Sequence, residues 1–353
     1  MDFQLNEEQR QIGELAQSLF ADYGHERRAG ELAREGWDAA LWAQLQDTGL
    51  AALLLPAELG GAELGVTELA LVLEAQGRAL AAAPLWRHAL AAATLSRFAP
   101  ALLDAAGLTA PIALSLDTAL TARLDGNRVL LSGQADAVAV TADTGHALLA
   151  VSLDGEQKLV CAPLASFTQQ QGRLFTGETV VELSADNAAL PAAQLLPATA
   201  YEWLEPRAML AIAALQLGIA EGAQALTVAH LSEREQFGRK LGSFQAVAQR
   251  MADGFIAIEA LRSVLWQLAW RLDAGAPIGT AHLTCKYWAC EAGNRVAHTA
   301  QHLHGGTGSD TSYPVHRYYL AARVAELEMG GAARQIAGLA AYIQHNESWR
   351  AGQ

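Results

Sequence analysis

The sequence predicts an α+β protein with an N-terminal helical domain, a small central antiparallel β-domain and a C-terminal four-helix bundle. The first observation is the helical spacing of apolar residues in the opening part of the chain. The second is a group of short β-rich runs with turn residues between them, and the third is a series of long helical segments after Pro197. We place the domains at residues 1–110, 111–200 and 201–353.

The N-terminal domain is predicted to begin with a capped helix. Asn6 and Gln9 have the spacing of a capping box. The apolar residues that follow recur on one helical face: Ile12, Leu15, Leu19 and Phe20. A stretch at residues 53–61 ends in a Pro/Gly loop, and we expect a further helix after it at about residues 67–82.

The central domain is predicted from runs of β-forming residues. They lie at residues 128–132, 147–151, 158–161 and 179–183. Turn residues separate them, as in Asp125-Gly126-Asn127 and Asp154-Gly155. This alternation is typical of an antiparallel barrel or sandwich.

The C-terminal domain is predicted from four long helical segments on short connections. They lie near residues 205–231, 244–273, 278–303 and 314–344. Antiparallel helices joined in this way form a bundle.

The composition indicates a compact, associating protein that does not bind polyanions. Of 353 residues, 52% are hydrophobic and only 17% are charged, so few charges cover the surface and we expect an oligomer. The 37 acidic and 24 basic residues give a net charge of −13, which argues against non-specific binding to nucleic acid or to an anionic membrane.

Cysteine content and the N-terminal residues indicate the compartment. Cys161, Cys285 and Cys290 cannot build a disulfide framework, and no further ligand cluster completes a zinc site with them, so we predict no metal. The chain opens with acidic residues rather than a basic and then apolar leader, and no apolar run reaches the ~18 residues of a membrane span. These features predict a cytoplasmic protein.

The most informative segment joins the first two long C-terminal helices, at residues 234–245. There Arg234 can form paired hydrogen bonds with a pyrophosphate, Phe237 can cover an aromatic ring, and Gln245 can pair with the edge of a heterocycle. Gly238 and Gly242 break the first helix, and Ser243 is a candidate N-cap for the second. An arginine alone would more often be a plain surface charge, but the whole pattern favours a site for a phosphorylated cofactor.

A glycine cluster at residues 301–310 forms a second motif. Adjacent glycines let a ligand approach the backbone, and their amides can face an anion, although a helix C-cap is an equal alternative. His298, His302 and His304 lie around these glycines, and we expect them to cap the helix or touch phosphate rather than bind metal.

Together, the motifs resemble the acyl-CoA dehydrogenase family. The resemblance rests on Arg-x-Gln-Phe-Gly…Phe-Gln at residues 234–245, Leu-His-Gly-Gly-x-Gly at 303–308 and Tyr-Pro-Val-x-Arg at 313–317, in the family's order. The loop at residues 53–61 and the helix after it are similar to the family's N-terminal domain, and the likeness is weakest at 111–200. It implies the helical, β and four-helix-bundle domains that the residue patterns predict.

The resemblance implies an FAD-dependent α,β-dehydrogenation of an acyl-CoA thioester. The implied partners are an acyl-CoA substrate, like or unlike subunits arranged as a dimer of dimers, and an electron-transfer flavoprotein or similar acceptor. Arg234 would hold the FAD pyrophosphate of the neighbouring subunit. The other implied FAD contacts are Gln236, Phe237, Leu241 and Gln245 on the adenosine side, and Leu303, Gly305 and Gly306 from the second motif.

The residue that would act as the base departs from the family. The family's usual Glu precedes a Gly in the loop before the last helix, and here Met329 precedes Gly330. Methionine cannot accept a proton, so Glu328, one residue away, is the candidate base and would need a shifted backbone. Where family members place the Glu on the helix before the arginine motif, this chain has Ala208, with Glu205 nearby.

The central region departs as well. The family's Thr-Glu-Pro-Gly-x-Gly-Ser-Asp loop is absent near residues 112–117, and His302 replaces the usual Gln before Leu303. Elements for a neighbour's FAD are therefore kept, whereas elements for the subunit's own catalysis are missing. This pattern is similar to the non-catalytic partner subunit of bacterial heterotetrameric acyl-CoA dehydrogenases that act on steroid side chains.

Two alternatives stay open from the sequence. The chain could be an active homo-oligomer with a relocated Glu, or a non-redox acyl-CoA-binding or scaffold protein on the same fold. A flavin monooxygenase or nitroalkane-type oxidase would need an Asp or a similar group where Met329 stands, so it is not favoured.

Overall fold

The computed structural model of the protein describes residues 4–24 and 35–345. The chain divides into two compact units. One contains residues 1–27, 66–81 and 209–353, and is helical; the other contains residues 28–65 and 82–208, and holds the β-sheet. The predicted domain boundaries near residues 110 and 200 stay predictions.

The helices of the described chain follow the sequence patterns closely. In chain order they are α1 (Glu7–Asp22), α2 (Ala39–Asp47), α3 (Val66–Ala79), α4 (Leu85–Phe98), α5 (Pro100–Ala106), α6 (Ala198–Glu233), α7 (Gln245–Asp273), α8 (Ala281–His304), α9 (Val315–Leu327) and α10 (Ala332–His345). The predicted last helix is thus broken into α9 and α10, because Met329 and Gly330 both adopt left-handed φ angles.

The capping box that opens α1 is confirmed. The Asn6 side chain accepts a hydrogen bond from the Gln9 backbone N–H, and the Gln9 side-chain oxygen accepts one from the Asn6 backbone N–H. The predicted apolar face of this helix is only partly correct. The buried residues are Gly13, Ala16 and Phe20, whereas Leu15 is 44% exposed.

The described central region contains seven strands, four of which include the predicted β-rich runs. They are β1 (Ala113–Ser115), β2 (Thr121–Asp125), β3 (Arg128–Ala139), β4 (His146–Leu153), β5 (Glu156–Pro163), β6 (Thr168–Arg173) and β7 (Thr179–Pro191). Two-residue turns join β2 to β3 and β4 to β5, with positive φ at Gly126, Asp154 and Gly155.

The sheet is mixed, which corrects the predicted purely antiparallel domain. Its strand order is β1-β4-β2-β3-β7-β6, and β5 pairs with β4. The hairpin neighbours are antiparallel, but β1 and β2 both run parallel to β4. Turn residues in the sequence specify hairpins only, so these parallel pairings had no local signal.

One face of this sheet builds the core of the β-containing unit. Leu131, Leu149, Val160 and Leu183 are completely buried there with their neighbours. Cys161 is buried too, as are Cys285 and Cys290 in the helical unit, and all three thiols are free.

Helix α6 meets the length and composition criteria of a membrane span among the described residues. In its most apolar window, however, 72% of the residues are buried within the protein. A core helix of a soluble protein has this pattern, so the helix is weak evidence for a membrane.

Glycines allow α3 and α6 to approach backbone to backbone. A Cβ on Gly218 would lie 1.9 Å from the Glu74 carbonyl oxygen, and one on Gly77 would lie 2.2 Å from the Leu215 carbonyl oxygen. Such distances leave no room for any side chain. This contact fixes α6 against α3 within the helical unit.

A residue distant in sequence caps α3. The Asp273 carboxylate, at the end of α7, accepts hydrogen bonds from the backbone N–H groups of Val66 and Thr67 at 2.8 and 3.0 Å. The first N–H groups of a helix have no partner within it, and the carboxylate also suits the positive end of the helix dipole.

Replacement of Gly218 by alanine should destabilise the protein, because the new Cβ would meet the backbone of α3 rather than a movable side chain. We expect a loss of about 1–3 kcal/mol and a lower Tm in thermal unfolding. Gly13→Ala is the matched control, since nothing lies within 4 Å of a Cβ at that helical position. An equal Tm for the two variants would contradict the close approach.

His88 should make the free energy of unfolding decrease at acidic pH. It is buried on α4, its Nδ1 accepts the Ile112 backbone N–H at 3.1 Å, and burial lowers its pKa to about 4. The unfolded side chain, with an ordinary pKa near 6.5, binds a proton first, so its contribution is present above pH 6.5 and is lost as the pH falls toward 4. In His88→Gln the amide oxygen can accept the same bond without titrating. For this variant we expect the loss of unfolding free energy between pH 7 and pH 5, measured by urea unfolding, to be about 2 kcal/mol smaller than in the wild type. The same loss in both proteins would contradict this.

Candidate functional site

The predicted cofactor segment folds as a β-hairpin between α6 and α7. Its two short strands, β8 (Glu235–Gln236) and β9 (Arg239–Lys240), pair through Glu235 with Lys240 and Gln236 with Arg239. The turn residues Phe237 and Gly238 have φ angles of +57° and +78°. This is the two-residue turn that suits a twisted hairpin, and it requires an uncommon conformation of Phe237.

The hairpin presents its functional side chains outward. Phe237 is 89% exposed, and Arg234 and Gln236 are exposed as well. The Arg239 guanidinium lies 3.9 Å from the centre of the Phe244 ring, so that ring stabilises the base of the hairpin. Lys240 bonds to the Glu233 carbonyl and forms an ion pair with Glu235, both at 2.9 Å.

The start of α7 differs in one respect from the prediction. The N-cap is Phe244 and not Ser243, whose hydroxyl donates instead to the Lys240 carbonyl. A 3-10 turn at residues 241–243 places Ser243 before the cap. Leu241 is half-buried and Gln245 is exposed, as the first residue of α7.

The second motif forms a tight turn at the end of α8. Gly305 ends the helix with φ +57°, and a 3-10 turn runs from Gly305 to Ser309. Gly305 and Gly306 are exposed, with nothing within 4 Å of either Cβ position. Leu303 is half-buried. The turn is thus open to a ligand that approaches the glycine backbone.

A histidine stack joins the two motifs. The rings of His230, one turn before Arg234, and His304, just before Gly305, lie 4.3 Å apart at an interplanar angle of 25°. Tyr313 packs at a tilt on His304, with ring centres 5.2 Å apart. The sequence singled out His304 but not His230, whose only signal is its spacing of four residues from Arg234.

Both stacked histidines have lowered pKa values. For His230, burial is the main cause, followed by the charge of Arg234; Glu233 acts in the opposite direction. For His304, burial again lowers the pKa, and its hydrogen bond to Ala300 opposes this. The pair is therefore biased toward the neutral form.

The loop that should carry the base lies between α9 and α10. Glu328 ends α9, with its N–H bonded to the Val324 carbonyl at 3.1 Å, and is half-buried. Met329 follows with φ +57° and is only 6% exposed. The side chain enclosed by this loop is thus a thioether and not a carboxylate.

Two buried polar side chains bind carbonyls here, one at the end of α9 and one in the loop that follows it. Lys286, fully buried on α8, donates to the carbonyls of Ala325 and Glu326 at 3.0 and 2.9 Å. Gln335, 1% exposed on α10, donates to the carbonyls of Met329 and Gly330, both at 3.1 Å. A cation at the end of α9 also complements the helix dipole.

The other positions considered for a base hold no free carboxylate. Ala208 is completely buried. Glu205, half-buried, accepts a hydrogen bond from the Tyr201 hydroxyl at 3.1 Å, and the Arg207 guanidinium lies 4.0 Å from the Trp203 ring. These contacts engage the polar residues near position 208.

One carboxylate that the sequence did not single out has a perturbed pKa. Burial first, and the charge of Glu221 second, raise the pKa of Glu74 to about 7. Its neighbours are Arg78 and Arg262, and Arg262 also pairs with Glu221 and Glu259. Both arginines oppose this shift, and they hold Glu74 in a structural ion network, so we assign Glu74 to the packing of α3, α6 and α7 rather than to catalysis.

Loss of Gln335 should release the loop locally. Gln335→Leu leaves two buried carbonyls without partners, so we expect a loss of about 1–3 kcal/mol and faster hydrogen exchange at residues 329–331. Gln344→Leu, exposed on the same helix, is the control. Unchanged exchange at residues 329–331 in Gln335→Leu would contradict the role of these hydrogen bonds.

Comparisons with known proteins agree with this architecture. The model of the acyl-CoA dehydrogenase N-terminal domain matches residues 6–103, and that of the C-terminal domain matches residues 206–343. Acyl-CoA dehydrogenase FadE27 of Mycobacterium tuberculosis is 36% identical over 375 aligned positions, covering 95% of this chain and 97% of the relative.

Two solved complexes are similar over nearly the whole chain. A variant of the Tcur3481–Tcur3483 steroid ACAD has a TM-score of 0.90 and 34% identity, covering 96% of this chain and 98% of its own. The ChsE4–ChsE5 complex from Mycobacterium tuberculosis has a TM-score of 0.90 and 32% identity, with coverages of 98% and 100%.

A more distant structure shares the fold. It is a glutaryl-CoA dehydrogenase from Mycobacterium smegmatis in complex with FADH2, with a TM-score of 0.82, 17% identity and coverages of 94% and 93%. The near-complete match to FadE27, the two domain models and the helical, β and helical order of the fold lead to one conclusion. The chain belongs to the acyl-CoA dehydrogenase family.

Proposed function

We propose that this chain is the subunit of an acyl-CoA dehydrogenase that completes an FAD site with a second, base-bearing subunit. The observation that carries this proposal is Met329, buried at the position of the family's base on a loop held by Lys286 and Gln335. The reaction of the complex is the α,β-dehydrogenation of an acyl-CoA thioester.

The fixed loop argues against Glu328 as a substitute base. To bring Glu328 to the place of Met329, the backbone would have to shift by one residue. That shift would break the two hydrogen bonds from Gln335 to the loop and move Gly330 out of its left-handed conformation. Breaking buried hydrogen bonds costs about 1–3 kcal/mol for each group left without a partner.

The hairpin supports a cofactor role across an interface. The Phe237 ring is 89% exposed, is held in an uncommon backbone conformation and meets the Phe244 ring edge-on at 6.1 Å, so it buries little area in its own unit. It would gain area by covering the adenosine part of FAD, with Gln236, Leu241 and Gln245 around it. Arg234 would pair with the pyrophosphate, and Leu303, Gly305 and Gly306 would contact the same cofactor.

When bound, FAD supplies a hydride acceptor for the β-carbon of the substrate. The residues of this chain bind and orient that cofactor, and the exposed glycine amides and Arg234 offset its negative charge. A carboxylate that removes the α-proton comes from the other subunit, since methionine has no proton-accepting group.

The substrate class and the setting are part of the same proposal. Similarity over 96% of the chain to a protein named as a steroid ACAD supports an acyl-CoA with a bulky steroid-type acyl group. The assembly we propose is a dimer of dimers, the acceptor is an electron-transfer flavoprotein or a similar protein, and the location is the cytoplasm.

The test is flavin content in two preparations, the chain alone and the chain co-expressed with its neighbouring dehydrogenase subunit. We expect stoichiometric FAD and turnover only in the complex. In that complex Arg234→Gln should weaken FAD binding about 10- to 100-fold, the value of a charge-assisted paired contact. Arg10→Gln, an exposed change on α1, is the control. Stoichiometric FAD with turnover in the lone chain would overturn the proposal.

Glu328→Gln separates the proposal from an active homo-oligomer. If Glu328 is not a base, this change should leave the kcat of the complex unchanged. A loss of several orders of magnitude in kcat with retained FAD would instead identify Glu328 as the base.

A non-redox acyl-CoA-binding or scaffold protein is the second candidate. The replacement of the base by Met329 is the observation that favours it. Acyl-CoA binding without FAD in both preparations would establish that role.

A further inference from the structure

We propose that His230 and His304 belong to the cofactor site, where their stacked rings join its two motifs and take up a proton when a diphosphate binds beside Arg234. This inference rests on the proposed function, because it assumes that FAD binds at Arg234. It adds two residues to the site and a coupling between binding and protonation.

The geometry makes the stack a joint between the motifs. His230 lies on α6 one turn before the arginine hairpin, and His304 is the last residue of α8 before the glycine turn. Their ring centres are 4.3 Å apart, and Tyr313, which follows the glycine turn, packs on His304. No other aromatic pair among the described residues links the last turn of α6 to the last turn of α8.

His304 has a nitrogen without a partner. The side chain is 4% exposed, and its Nδ1 lies 2.8 Å from the Ala300 carbonyl oxygen, so the proton of the neutral ring is on Nδ1. Its Nε2 is buried with no hydrogen-bond partner in the described chain. A buried acceptor of this kind costs free energy unless a hydrogen-bond donor satisfies it.

The charges around the pair give the direction of the coupling. Burial is the main cause of the lowered pKa of His230; the charge of Arg234 lowers this pKa further, Glu233 on the same helix raises it, and His304 faces the ring from α8. A diphosphate on Arg234 would bring negative charge close to the His230 ring, which favours its protonated form. Binding of the diphosphate therefore raises the pKa of His230, so that FAD binds more tightly as the pH falls.

The stack also sets the number of protons. Two imidazolium rings 4.3 Å apart repel one another, so the pair accepts one proton and not two. The proton resides on His230, which is half-buried beside Arg234, whereas His304 is 4% exposed.

Calorimetry of FAD binding to the flavin-stripped complex tests the coupling. In two buffers of different ionisation enthalpy at pH 6.5, we expect a net uptake of up to one proton when FAD binds. We also expect the Kd for FAD to decrease, by up to about tenfold, for each unit by which the pH is lowered. His230→Phe keeps an aromatic ring in the stack but cannot titrate, so the uptake should disappear while FAD still binds. His345→Phe, exposed on α10, is the control for loss of a histidine.

A second pair of variants tests the joint itself. His304→Ala should lower FAD content at every pH and speed hydrogen exchange in residues 234–240, whereas His304→Phe should restore both because it restores the stack. A merely structural role would lower the Tm without this selective rescue. Equal FAD content in His304→Ala and the wild type would overturn the joint.

Failure of this inference is distinct from failure of the proposed function. FAD bound without proton uptake, or with uptake that persists in His230→Phe, overturns only the coupling. Absence of FAD in every preparation overturns both.

Discussion

The arrangement of the helical unit depends on the backbone contact between α3 and α6. Gly218 brings the turn of α6 so close to the Glu74 carbonyl that no side chain fits between them. Only at this distance can Glu74 and Glu221 share Arg262 from α7. The same helix then extends to His230 and Arg234, so the close approach sets where α6 delivers the cofactor segment.

Burial distinguishes the two parts of the site. The loop around Met329 is enclosed, and buried polar groups satisfy its carbonyls: an ammonium at Ala325 and Glu326, and an amide at Met329 and Gly330. The hairpin is exposed instead. Its backbone hydrogen bonds form between the two short strands, and its side chains face outward. A fixed, apolar interior and an open, charged edge suit a subunit that offers contacts to a cofactor rather than a proton acceptor.

Electrostatics follows from the same difference in burial. Glu74 and His88 are buried, and loss of hydration disfavours the charged form of each side chain. The pKa of Glu74 is therefore raised and that of His88 is lowered. His230 and His304 lie between these extremes, close to a charged arginine and to an open glycine turn. Groups in such positions respond to a bound anion, whereas fully enclosed groups respond only to unfolding.

The sequence by itself determined the helices, most strands and the chemistry of the site. Periodicity and turn residues are local signals, so the capping box at Asn6, the hairpin turns at Gly126 and Asp154, and the motifs around Arg234 and Gly305 could all be read from it. The sequence also shows Met329 before Gly330, where the family resemblance leads us to expect a Glu. Only the tertiary structure decided the parallel pairing of β1 and β2 with β4, the break between α9 and α10, the loop contacts of Lys286 and Gln335, and the stack of His230 on His304. The strand pairing, the Lys286 contacts and the histidine stack join residues far apart in sequence, and the free energy that fixes them comes from burial and hydrogen bonds that form only when the chain has folded.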